Sequence, residues 1–173
     1  NNFSAKLILV GRSNFPERDS WSEWIDNHDE QDKISHKIQK LKEIEALGAE
    51  ILVESVDISS LQEMQWVIEK AENKFGAING VIHAAGVIEG KPIEKTIKAE
   101  CKQQFIPKVN GVLLLEKLLA NKNLDFCLLM SSLSSILGGL GFVTYGASNS
   151  FLDSFANARS HKENGFPWIS VNW

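Results

Sequence analysis

Five short apolar runs, each separated from the next by a longer helical or polar stretch, constrain this chain more than any other feature. Lys6 to Val10 (KLILV) is closed by Gly11, Arg12 and Ser13, and suits a strand buried on both faces and leading into a loop. A polar, acidic stretch from Phe15 to Asp32 embeds Trp21 and Trp24. Beyond it, apolar residues recur at Ile34, Ile38, Leu41, Ile44 and Leu47. That spacing marks an amphipathic helix over Lys33 to Leu47, ended by Gly48. Glu50 to Val56 reads as the second strand, and Ser59 or Ser60 can cap a helix through Met64, Val67, Ile68 and Ala71 to Gly76. Ile78 to His83 is a third strand, ending in Ala84, Ala85 and Gly86. A helix-rich stretch interrupted at Pro107 reaches Lys122, and Asp125 to Met130 is a fourth strand. Tyr145 to Lys162 is helical, and Trp168 to Trp173 is the fifth strand.

Continuous apolar strands alternating with helices predict an α/β fold with a doubly wound parallel sheet, because right-handed crossovers bury both sheet faces. Such sheets bind ligands beyond the C-terminal ends of their strands. A length of 173 residues with 43% hydrophobic content suits one domain around one core. No repeat, low-complexity tract or proline- and glycine-rich linker marks a second. The net charge of -4 gives no general attraction to nucleic acid or an anionic membrane. No stretch approaches the roughly 20 apolar residues of a membrane helix, and no signal-like segment opens the chain, so a cytoplasmic location is expected. Cys101 and Cys127 lack CxxC or CxxH spacing and read as buried free thiols in a reducing compartment. His28, His36, His83 and His161 share no metal-ligand spacing, so no metal is expected.

The residues that carry chemistry lie late in the chain. Ser132 falls just past the fourth strand, Tyr145 opens the next helix thirteen residues later, and Asn149 lies one turn beyond Tyr145 on the same face. Taken singly, each has a plain structural explanation: strand-end serines bond backbone, helical tyrosines pack in cores, and a lone lysine such as Lys108 is solvated. Together the spacing resembles the Ser and Tyr-x-x-x-Lys arrangement of short-chain dehydrogenases/reductases. Asn149 stands where most of that superfamily has lysine, and Lys108, in the preceding helix, stands where most have asparagine. This exchange, with SSLSSILGGLGFVTYGASNSFLD from Ser131 to Asp153, resembles the ketoreductase domains of modular polyketide synthases.

The resemblance implies a Rossmann-like fold over residues 1–173 and NADPH-dependent reduction of a β-keto group on an acyl chain. That chain is tethered by phosphopantetheine to an acyl carrier protein, and neighbouring synthase domains are the other partners. It assigns Ser132 and Tyr145 to the carbonyl oxygen, Lys108 to the charge beside the phenol, and Asn149 to the proton relay. His83, Ala84, Ala85 and Gly86 (HAAG) match the segment beside the ribose and nicotinamide, where small residues admit close backbone approach. Arg12 and Ser13, in LVGRS, match the site of the NADP 2′-phosphate, a dianion suited to a planar guanidinium. Asp57 in VDIS matches an adenine-contacting aspartate; a helix N-terminal acid favoured by the dipole explains it equally well. Gly138, Gly139 and Gly141 follow Ser132 rather than a first strand, so they shape a substrate-side turn rather than a phosphate loop. Trp21 and Trp24 are expected to pack under a surface loop.

The family's T-G-x-x-x-G-x-G turn, on which the pyrophosphate rests, does not precede Lys6, so the sheet is expected to be incomplete, lacking its first strand and glycine-rich loop. Unpaired buried backbone groups cost about 1 to 3 kcal/mol each against a domain's usual 5 to 15 kcal/mol, so an N-terminally truncated piece is expected to fold poorly alone. After HAAG the chain has Ile88, Glu89 and Gly90 where the family often has Leu-Asp-Asp, and Leu137 replaces a tryptophan, so the configuration of the alcohol is not assigned. Two other readings are open: a free-standing short-chain reductase, against which the Lys108 and Asn149 exchange argues, and a non-catalytic scaffold piece.

Overall fold

The apolar runs become strands, and their pairings are parallel throughout the described residues, 5–29, 31–160 and 165–173 of the computed structural model. One sheet pairs β1 (Lys6–Gly11) with β2 (Glu50–Ser55), in register from Lys6 opposite Glu50 to Gly11 opposite Ser55. A second sheet has the order β3 (Gly80–His83), β4 (Phe126–Ser131), β5 (Trp168–Asn172). Here His83 stands opposite Leu129, and Ser131 opposite Asn172. Because the strands run in one direction, Gly11 and Ser55 share one sheet end, and the residues after His83, Ser131 and Asn172 share another.

Seven helices join them in the described residues: α1 (Trp21–Asn27), α2 (Lys33–Ala46), α3 (Leu61–Phe75), α4 (Lys98–Phe105), α5 (Gly111–Leu119), α6 (Ser134–Leu137) and α7 (Val143–Ser160). Ser60, not Ser59, caps α3, accepting from the Glu63 N–H at 3.4 Å, because the Ser59 hydroxyl is committed to Asp57 at 2.7 Å. Asp32 caps α2 through the Ser35 N–H at 2.7 Å and also accepts from the Trp24 indole at 3.0 Å. The helix expected to reach Lys162 is seen to Ser160; residues 161–164, with His161, lie outside the described residues.

The main core joins α3 (Met64, Val67, Ile68), α5 (Val112, Leu115, Leu119), β4 (Cys127, Leu129) and α7 (Leu152, Phe155, Ala156). A second cluster packs Trp21 on Ile38, Leu41 and Ile51. As expected, Trp21 packs under the preceding loop, meeting the ring of Phe15 edge-on at 5.9 Å between centroids. Both tryptophans sit on α1, and Trp21 is buried against α2, with its indole N–H donating to the Pro16 carbonyl at 2.9 Å. The expectation that β1 is buried on both faces is corrected. Leu9 and Val10 are 39% and 38% exposed, because among the described residues β1 pairs along one edge only.

Pro107 does not break its helix. A π-helical turn, Ile106–Asn110, joins α4 to α5 without a break and holds the proline at its second position. The wider turn shifts the helical register and buries Pro107 and Lys108.

Candidate active site

β4 ends at Ser131, and Ser132 begins the turn into α6, its Oγ accepting from the Ser134 N–H at 3.2 Å. The chain then reverses through Gly138 and Gly141, whose φ angles of 71° and 79° favour residues without Cβ. The Gly141 carbonyl accepts from the Lys91 N–H at 2.8 Å, which ties this turn to the loop after HAAG. A Cβ on Gly141 would meet that same backbone nitrogen at 3.3 Å, so glycine permits the close approach.

Tyr145 lies in the first turn of α7. One turn on, Asn149 is fully buried, and its Nδ2 donates to the Tyr145 carbonyl at 2.8 Å. Among the described residues its Oδ1 has no hydrogen-bond partner. The Ser132 turn packs against this helix start, where a Cβ on Gly146 would stand 3.0 Å from the Ser134 carbonyl.

Lys108 arrives from the opposite side. The π turn presents its ammonium to the Met130 carbonyl, which accepts at 3.0 Å, and 5.8 Å from the Tyr145 ring centroid. A Cβ on Gly86 would stand 3.0 Å from Lys108 Cε, so the glycine of HAAG leaves the lysine stem its path. Lys108, Tyr145, Asn149, Gly86 and the Met130–Ser132 strand end are thus brought together.

Burial pushes the Lys108 ammonium below the usual lysine range, and the charge of Asp153 opposes that shift. Burial and the neighbouring Lys108 take His83, 2% exposed, down to about 4, so it is neutral at physiological pH. Burial raises the Asp153 carboxyl, but hydrogen bonds from Ser135, Ser170, Ser131 and Asn172 outweigh it and hold the group below the ordinary aspartate range. Asp153 and the Met130 carbonyl were not among the residues singled out from sequence. Asp153 had a legible signal, lying eight residues after Tyr145 and four after Asn149 on one helical stripe. A backbone carbonyl has none.

The remaining candidates divide between the ends of β1 and β2 and the end of β3. Arg12 and Ser13 are exposed at the end of β1, and the Ser55 hydroxyl donates to the Ser13 carbonyl at 3.0 Å. The Asp57 carboxylate accepts from the Ser59 N–H at 2.8 Å and hydroxyl at 2.7 Å. These bonds, with help from Arg12, hold it below the usual carboxylate range. Ala84 and Ala85 follow β3 directly. No hydrogen bond among the described residues links Arg12, Ser13 or Asp57 to the Tyr145 group; both lie beyond C-terminal strand ends.

The cysteines differ from each other. Cys127 is fully buried on β4, whereas Cys101 is half-buried with its Sγ 3.3 Å from the Thr144 hydroxyl; both are free thiols. Among the described residues no three His, Cys, Asp or Glu side chains cluster as a metal site, and no helix is long and apolar enough to cross a membrane.

Comparison with known proteins bears directly on this geometry. The family model described as KR domain matches residues 2–173. The polyketide synthase PksM of Bacillus subtilis is 36% identical over 99% of this chain, which spans 4% of that protein. A 6-methylsalicylic acid synthase of Arthrobotrys oligospora is 34% identical over 96% of the chain, which spans 9% of it. Among solved structures, an N-terminal ketoreductase from the macrolactin assembly line is 33% identical with a TM-score of 0.81, over 97% of this chain and 31% of that one. A ketoreductase domain from the bacillaene assembly line is 29% identical with a TM-score of 0.82, over 98% of this chain and 37% of that one. With the family model spanning nearly every residue and Lys108, Tyr145 and Asn149 gathered at one sheet end, this chain belongs to the ketoreductase domain family of polyketide synthases, within the short-chain dehydrogenase/reductase superfamily.

Proposed function

We propose that this chain serves NADPH-dependent reduction of the β-keto group of an acyl chain carried on an acyl carrier protein, within a larger synthase, giving a β-hydroxyacyl chain. The observation that carries the reading is the buried Lys108 ammonium, 5.8 Å from the Tyr145 ring centroid. A phenol with an ordinary pKa of about 10 is a poor proton donor at neutral pH, and a nearby cation eases loss of its proton.

The residues present fit the 2′-phosphate and nicotinamide-ribose ends of a phosphorylated nicotinamide dinucleotide. Arg12 is an exposed cation at a strand end, Asp57 lies beside it, and Ala84, Ala85 and Gly86 offer open backbone at another strand end. When bound, the cofactor supplies hydride to the carbonyl carbon. The chain's own residues handle the oxygen. The Ser132 and Tyr145 hydroxyls donate hydrogen bonds to it, and Tyr145 gives up its proton as negative charge develops there. Lys108 stabilises the phenolate left behind, and Asn149 fixes the helical turn that presents the tyrosine. Hydride plus proton convert the ketone to the alcohol.

The test uses the full-length protein, NADPH fluorescence and a β-ketoacyl thioester of N-acetylcysteamine. We expect saturable NADPH binding, consumption of NADPH with the thioester, and near-complete loss of reduction in Tyr145→Phe with binding retained. Full reduction by Tyr145→Phe would overturn the roles, and absence of NADPH binding would favour a packing role instead. Arg12→Ala is expected to erode preference for NADPH over NADH.

A further inference from the structure

Behind the reacting groups lies a carboxylate that the mechanism above does not use. Tyr145, Asn149 and Asp153 follow at intervals of four along α7, so Asp153 lies two turns inward from the phenol on the same stripe. Its Oδ2 accepts from the Ser135 hydroxyl at 2.6 Å and its Oδ1 from the Ser170 hydroxyl at 2.5 Å. Ser135 also receives the Asn172 amide at 3.4 Å, and its Oγ lies 2.8 Å from the Ser132 carbonyl. One carboxylate thereby connects α7, the turn that begins at Ser132, and the end of β5.

We propose that Asp153 is a positioning residue of this site, latching the Ser132 turn to α7 and β5 while serving as the counter-charge of the buried Lys108. The proposal rests on the assignment of Ser132, Tyr145 and Lys108 to the reaction.

Hydrogen bonding alone does not call for an anion here. Asparagine has the same shape and could satisfy serine hydroxyls, which both donate and accept. A charge is needed for a different reason. Lys108 is 4% exposed and, among the described residues, has only a carbonyl as hydrogen-bond partner, and burying a lone ammonium is costly. The titratable groups facing it are His83 from β3, neutral and so no counter-ion, and Tyr145 and Asp153 from α7. Asp153 forms no ion pair within 4.0 Å among the described residues, so it acts on the lysine through space rather than by clamping it. That leaves the ammonium free to face the phenol.

The experiment compares Asp153→Asn with the parent in the full-length protein. Lys108 is titrated by the pH dependence of its acetylation, read by peptide mass spectrometry, and kcat is measured against pH with the same thioester. In D153N we expect the Lys108 midpoint to move to lower pH and the alkaline limb of kcat to follow it. We also expect kcat at neutral pH to fall on the order of tenfold, with NADPH affinity held within about threefold. An unmoved midpoint together with an unmoved alkaline limb would overturn the counter-charge. Tyr145→Phe is run in parallel: full activity there sinks the assignment of roles, while the Lys108 titration still decides the effect of Asp153. Should D153N fail to fold, Ser135→Ala keeps the carboxylate and removes one arm of the latch. A several-fold fall in kcat with the Lys108 midpoint unchanged supports the latch, and an unchanged kcat overturns it.

Discussion

Lys108 faces the ring of Tyr145 at 5.8 Å from its centroid while donating to the Met130 carbonyl at 3.0 Å, so cation and phenol are held by separate elements across one strand end. The lysine comes from a π turn and the tyrosine from the start of α7. Their separation therefore depends on how α4, α5 and α7 pack, and not on spacing along one helix.

This relationship makes Lys108 hard to replace. Lys108→Met keeps most of the stem and removes the charge; kcat for reduction of the thioester is expected to fall on the order of a hundredfold. Lys108→Arg is expected to rescue little, because the planar fork is wider than the path left beside Gly86, where a Cβ would already meet Lys108 Cε at 3.0 Å. Steady-state rates of the two variants check both statements, and wild-type activity in Lys108→Arg would refute the steric one.

His83 sets a pH limit on stability. Its folded pKa of about 4 lies below the ordinary 6.5, so at acid pH the unfolded chain binds the proton more readily than the folded one. The stability it contributes is whole above pH 6.5 and is lost progressively as pH falls through that value towards 4, a change on the order of 3 kcal/mol. Urea unfolding at pH 7 and pH 4.5 measures this. The wild type is expected to lose more stability between those pH values than His83→Leu.

Gly146 sits beside the phenol in α7 with the Ser134 carbonyl against it. Gly146→Ala inserts a Cβ 3.0 Å from that oxygen, which must move and carry the Ser132 turn with it. The usual gain from alanine in a helix interior, roughly 1 kcal/mol, is expected to be cancelled by overpacking of about 1 to 3 kcal/mol. Reduced kcat with little change in melting temperature is the expected pattern. Unimpaired activity would show that the turn tolerates the shift.

Cys127 is expected to be chemically silent. Burial alone raises its thiol to about 12, and the side chain is fully enclosed beneath α5 and α7, so little thiolate forms near neutral pH and no reagent reaches it. Thiol titration at pH 8 should leave Cys127 unlabelled in the native protein and label it after denaturation, as peptide mapping would show.

Much of this molecule was legible in the linear chain because its signals are local. Apolar runs such as KLILV and DFCLLM mark strands wherever the chain places them, and the 3.6-residue spacing of Ile34, Ile38, Leu41 and Ile44 marks α2 without reference to a partner. The Ser132, Tyr145 and Asn149 spacing was readable for the same reason: three residues around one strand end and one helix start carry their geometry in their numbering. Tertiary structure decided what depends on distant groups meeting. Pro107 reads as an interruption, yet packing across the strand ends makes it part of a π turn that buries Lys108. Likewise the polar stretch around Trp21 and Trp24 shows no helical period, and only folding packs Trp21 on Ile38 and Leu41 of α2. The Met130 carbonyl and the carboxylate of Asp153 have no meaning in one dimension, because a hydrogen bond or a buried counter-charge exists only once folding has brought its partner within reach and excluded the water that would compete for it.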